Sequence, residues 1–97
     1  MSNVHELKIW SEFFDAVKDG RKTFEVRYND REYQEGDYLV LREIQKSQEE
    51  GNAPDFTGRA ILAKIKFVFR DKKGENGTHF LQDGYVVLGI EYEGSFV

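Results

Sequence analysis

Three observations predict a mainly β domain of the α+β class. Five stretches show strand-like alternation or branched and aromatic runs, one amphipathic run has helical spacing, and no strand-helix-strand rhythm repeats. The economical architecture is a small, mainly antiparallel barrel or rolled sheet with one or two short helices, the main one covering an end. Closure is expected, because an open sheet with strands this apolar would leave an edge prone to aggregation. At 97 residues the chain forms one domain, 1–97, around a single core.

The first strand is predicted over Val4 to Ile9, where His5, Leu7 and Ile9 share one face and Glu6 and Lys8 the other. Trp10, Phe13, Phe14 and Val17 then recur at helical spacing and predict a helix around Glu12 to Asp19, packed through Phe13, Phe14 and Val17. Ser11 is placed to cap its first turn, and Lys18 suits the negative end of the helix dipole. Gly20 follows the last turn, where a left-handed C-terminal cap is needed. A second strand starts at once. Within it Thr23, Glu25 and Arg27 share one face and Phe24, Val26 and Tyr28 the other. The apolar set is expected to face the core and the charged set to face outward or line a cleft.

Tyr28 to Gly36 is polar, and Gly36-Asp37 reads as a turn into a third strand, Tyr38 to Ile44. Ser47 to Phe56 lacks periodicity, holds the only proline, Pro54, and is expected to be an exposed, mobile loop. The clearest alternation follows: Ile61, Ala63, Ile65, Phe67 and Phe69 on one face, Lys64, Lys66 and Arg70 on the other. Asn76-Gly77 and Asp83-Gly84 are turn dipeptides, and Tyr85 to Tyr92 is the last predicted strand.

A net charge of −4 argues against polyanion binding by bulk electrostatics, although Arg59 to Lys73 carries six bases against one acid. The absence of cysteine excludes disulfides, thiolate metal sites and a cysteine nucleophile, and suits a reducing compartment. No apolar run approaches the roughly 20 residues of a membrane helix, and the polar N-terminus lacks a signal-peptide pattern. The expectation is a soluble, cytoplasmic protein.

Gly20, Lys22, Glu25 and Arg27 resemble the Gly-x-Lys-x-x-Glu-x-Arg signature of the ASCH domains, a branch of the PUA-like superfamily. The resemblance extends upstream to Lys8 in Leu7-Lys8-Ile9 and downstream to Gly36-Asp37-Tyr38-Leu39-Val40-Leu41. His5 to Leu41 and Gly84 to Ile90 are also similar to a small bacterial and phage subfamily of unassigned function. The resemblance implies a PUA-like β-barrel, a cleft between the first helix and the barrel, and binding of RNA or a modified nucleotide. No cofactor is expected. Lys8, Trp10, Lys22, Glu25, Arg27 and Arg31 are the residues expected around that cleft.

Their chemistry suits the role. A carboxylate two residues from a guanidinium on one strand face can orient it for phosphate, and Lys22 adds a compact charge. Trp10, at the strand-to-helix turn, is the aromatic best placed to stack on a base, whereas Phe13 and Phe14 read as core. The outer Lys64, Lys66 and Arg70 face could track a phosphate backbone, but strand faces of this kind are usually only solvated. His5 reads as a satisfied core histidine and His79 as a loop residue, and their spacing makes no metal site.

The alternative is a small hydrolase of a modified nucleoside, or of RNA. One related ASCH branch removes acetyl from acetylcytidine with a lysine, a threonine and a glutamate. Lys22 matches that lysine, but the threonine position falls on Glu25, and Thr23 lies two residues early. In an enzyme of this kind Lys22 and Glu25 would be the catalytic pair, oxyanion donor and general base. A protein-interaction domain with a merely structural motif is the third class.

Overall fold

The computed structural model describes residues 2–71 and 81–96. In chain order the elements are β1 (Val4–Trp10), α1 (Ser11–Lys18), β2 (Phe24–Tyr28), β3 (Tyr38–Gln45), β4 (Asp55–Arg70) and β5 (Tyr85–Phe96). The five strands form one sheet in the order β1-β3-β4-β5-β2, curled into a half-barrel. The mainly β, α+β reading of the sequence is what the chain adopts. Only β1 and β3 pair in parallel; the other three pairings are antiparallel. No helix among the described residues is long and apolar enough to cross a membrane.

This order makes β1 and β2, which are neighbours in the chain, the two edges of the sheet, with α1 connecting them. The core fills the concave side. Leu7 and Ile9 of β1, Leu39 and Leu41 of β3, Ile61, Ala63 and Ile65 of β4, and Leu88 of β5 are buried there, and Phe14 and Val17 of α1 close it. Eight residues of helix are marginal alone, so these two apolar anchors hold α1 in place. Gly20, at φ +84°, terminates it: the Gly20 amide donates to the Val17 carbonyl and the Lys22 amide to that of Ala16.

Several expectations need correction. Trp10, not Ser11, precedes the helix, and it supplies no side-chain cap; the Ser11 hydroxyl donates across to the Ile44 carbonyl at 3.2 Å instead. Phe13 is 42% exposed, because the helix turns only Phe14 and Val17 inward. The faces of β2 are reversed. Glu25 is buried, whereas Phe24, Val26 and Tyr28 are about half exposed. An edge strand of a curled sheet has a neighbour on one side only, so its inner face lies along the open seam rather than in the core.

In β4 the alternation breaks at a β-bulge between Ile65 and Phe67. One extra residue reverses the faces, so Val68 points inward while Phe67 and Phe69 turn outward and Lys64 and Arg70 no longer share a side. The polar stretch after β2 hides a core residue, Tyr33, which is 1% exposed. His5 is the satisfied core histidine expected: its Nε2 lies 2.8 Å from Asp37 Oδ2 and its ring meets Tyr33 edge-on. Residues 46–54 are mostly exposed. His79, Lys72, Lys73 and Asn76-Gly77 lie outside the described residues.

Candidate functional site

The seam between β1 and β2 is crossed by one side chain of the signature. Arg27 Nη2 donates to the Lys8 carbonyl at 2.7 Å, where a barrel would continue its ladder. The other hand of the same guanidinium is held by Glu25, whose Oε2 accepts from Arg27 Nε at 3.0 Å. Glu25 Oε1 accepts from Lys22 Nζ, which also donates to the Phe24 carbonyl at 2.6 Å. The Glu25 carboxylate therefore has a cation on each oxygen. It is 4% exposed, while the Lys22 and Arg27 side chains are 17% and 25% exposed. The carboxylate fixes two cations, and the cations face outward.

What they face is a hollow of about 450 Å³ between α1 and the two edges. Lys8, Trp10, Lys22, Glu25 and Arg27 all line it. So do Phe13 and Phe24, whose rings lie 5.6 and 5.0 Å from Lys22 Nζ. A second hollow of about 400 Å³ adjoins it, sharing Lys8 and Arg27 and adding Glu6, Arg31, Arg42 and Phe56. All six residues expected around a cleft thus meet in one groove, Arg31 at its far end. Phe13, Phe24, Arg42 and Phe56 were not foreseen there. Helical spacing had assigned Phe13 to the core, and nothing in the local sequence brings Arg42 or Phe56 to β1, since only strand pairing does so.

A second charged cluster was also invisible in the sequence. Between Arg42 and Ile44 the pairing of β3 with β4 shifts, and Gly58, at φ +92°, lets Thr57 and Arg59 fold back onto Glu43. Arg59 Nε and Nη2 each donate to a Glu43 oxygen at 2.7 Å, Thr57 Oγ1 donates at 2.6 Å, and the guanidinium lies over the Phe14 ring. The Arg59 hydrogen bonds hold the Glu43 carboxyl down at about 2, against burial, which raises it, and with help from Thr57 and Ser11. Burial pushes the Asp37 carboxyl up, but hydrogen bonds from His5, Asn3 and Gln34 outweigh it and leave it lowered.

A depressed carboxyl stabilises the fold above its unfolded value and stops doing so as pH falls through the folded one. For Glu43 that window runs from 4.5 down to about 2. In acid titrations of stability, wild type should lose ground across this window. Glu43→Gln should be less stable at neutral pH and flatter below 4.5.

Lys64, Lys66 and Arg70 do not form one basic face: Arg70 Nη2 donates inward to the Tyr33 carbonyl at 2.6 Å. Among the described residues no group of three or more His, Asp or Glu is placed to hold a metal ion.

Comparison with known proteins places this geometry in a family. Residues 4–90 match the model described as Domain of unknown function (DUF3850). The chain belongs to the DUF3850 family. Over 65 residues, 67% of its length, the chain is 38% identical to the uncharacterized 12.9 kDa protein in the GpA 3′ region of Escherichia phage P2. The matched stretch covers 53% of that phage protein, so this DUF3850 chain spans about half the length of its curated relative. The crystal structure of hypothetical protein PH0355 shares the fold, with a TM-score of 0.55 at 19% identity over 93% of this chain and 99% of that one.

Proposed function

We propose that this DUF3850 chain is an ASCH domain of the PUA-like superfamily that binds RNA or a nucleotide-like ligand in the groove between α1 and the half-barrel. The observation that carries the reading is the Lys22–Glu25–Arg27 arrangement: two cations fixed by one buried carboxylate at the mouth of a hollow lined by Trp10, Phe13 and Phe24. Its donors are not used up. Lys22 Nζ spends two of three N–H groups, and among the described residues Arg27 Nη1 makes no hydrogen bond. Trp10 and Phe24, 44% and 46% exposed, offer π faces beside those donors, a combination that suits a base with its phosphate or carbonyl edges. The matching signature and its place at a helix-to-strand junction support the ASCH assignment, and the cysteine-free composition supports a cytoplasmic location.

The same geometry weighs against hydrolysis with Glu25 as base. A carboxylate that is 4% exposed and held by a cation on each oxygen is poorly placed to reach a water molecule. Glu25 is better suited to positioning Lys22 and Arg27. Thr23 is exposed, outside the hollow's lining. Amide chemical-shift mapping with short RNAs and nucleosides tests the proposal, with Trp10, Lys22 and Arg27 expected to respond together.

A further inference from the structure

The groove has two chemically different ends. At the α1 end, three half-exposed aromatics, Trp10, Phe13 and Phe24, surround one cation, Lys22. At the other, Lys8, Arg27, Arg31 and Arg42 converge with a single lining carboxylate, Glu6. At this second end the Arg42 guanidinium lies over the Phe56 ring, 3.9 Å from its centroid, with Lys8 Nζ at 5.8 Å, and occupies one face of a residue that is 44% exposed. A base cannot stack where a guanidinium is stacked. What the ring does instead is hold Arg42 flat, while Glu6 Oε1 accepts from its Nη1 at 2.8 Å and fixes the rotation of the fork.

Ion pairing leaves much of this charge available. The Lys8 ammonium makes no ion pair among the described residues, and Arg31 Nε lies 3.8 Å from Asp30 Oδ1, with both side chains about half exposed. Planar forks on two arginines, a compact ammonium and a shared Arg27 together match a tetrahedral phosphate anion better than any neutral group.

We propose that the second hollow is a phosphate subsite. The ligand of the groove is then a nucleotide rather than a nucleoside, its base among Trp10, Phe13 and Phe24 and its phosphate between Lys8, Arg31 and Arg42. This rests on the reading of the groove as a nucleotide-binding site, and it adds a direction and a requirement for phosphate. A free mononucleotide and one step of a strand share that chemistry.

Trp10 is the chain's one tryptophan and lines the aromatic end, so its fluorescence reports on stacking there. The titrants are the four common nucleosides, their monophosphates with the phosphate on either end of the ribose, the matching dinucleotides, and inorganic phosphate. A monophosphate should quench at a concentration about tenfold or more below its nucleoside, as hydrogen bonds to a charged partner allow. In Arg31→Gln/Arg42→Gln that ratio should fall to about threefold or less. Both side chains are about half exposed, so the variant keeps the fold. A dinucleotide that matches or exceeds the monophosphate identifies a strand as the source of the phosphate, and one that binds more weakly identifies a free nucleotide; both support the subsite.

If nucleoside and monophosphate bind wild type equally, the groove reading survives and the phosphate subsite is wrong. A phosphate preference undiminished in the double variant also overturns it, because the anion must then sit on Lys22 and Arg27. Should no nucleoside, nucleotide or dinucleotide quench Trp10, the groove reading falls and this inference with it.

Discussion

Glu25→Gln should destabilise the protein by about 3 kcal/mol and remove most of its affinity for any groove ligand, because one neutral amide cannot hold two cations. The carboxylate is 4% exposed and ties Lys22, Arg27 and, through Arg27, the Lys8 carbonyl into one unit across the open seam. Losing it leaves Lys22 and Arg27 partly desolvated without a counter-charge. Glu6→Gln provides the contrast. Glu6 also pairs with an arginine, but at 59% exposure the pair is screened by water, so its loss should change stability by less than about 1 kcal/mol. Urea unfolding of both variants measures the difference, and equal midpoints would mean that the seam does not depend on Glu25.

Phe14→Ala should cost about 3–5 kcal/mol, the range for emptying a buried aromatic site in a core. The ring is 1% exposed, and with Val17 it anchors an eight-residue helix that has little stability of its own. Removing it should also loosen the Arg59 guanidinium stacked on it, which joins α1 to Glu43. Phe13→Ala, one residue away, should cost less than about 1.5 kcal/mol, since its ring is 42% exposed and already in contact with water. Its larger effect should be on ligand affinity.

Local pattern was enough for much of the fold. The alternation of β1, the 3.6-residue spacing of Trp10, Phe13, Phe14 and Val17, and the glycine stop at Gly20 placed β1, α1 and the start of β2 within a residue or two. By contrast, β4 starts at Asp55, inside the expected loop, and β5 runs past Tyr92 to Phe96. What period alone does not contain is which side of a strand has a neighbour. In β2 that inverted the inference, because the strand is an edge and its charged side lies along the seam. In β4 a single extra residue reversed Phe67 and Phe69, and no composition signal marks the bulge at that point.

The site divides the same way. Lys22, Glu25 and Arg27 are close in sequence, so spacing and family likeness together exposed them. Arg42 and Phe56 reach the groove only through the pairing of β1 with β3 and of β3 with β4, and Glu43 finds Arg59 only across an irregular stretch of that pairing. Contacts between residues distant in the chain are set by register, which a single sequence does not display.

The central claim is that the groove between α1 and the sheet edges is where a nucleic-acid component binds. Amide chemical-shift mapping tests it most directly, with short RNAs, nucleosides and nucleoside monophosphates as separate titrants. The account predicts concerted shifts at Trp10, Phe13, Lys22 and Arg27, with Arg31 and Arg42 joining only when the titrant carries phosphate. Shifts confined to Lys64 and Lys66 on β4, or no shifts with any titrant at millimolar concentration, would contradict it.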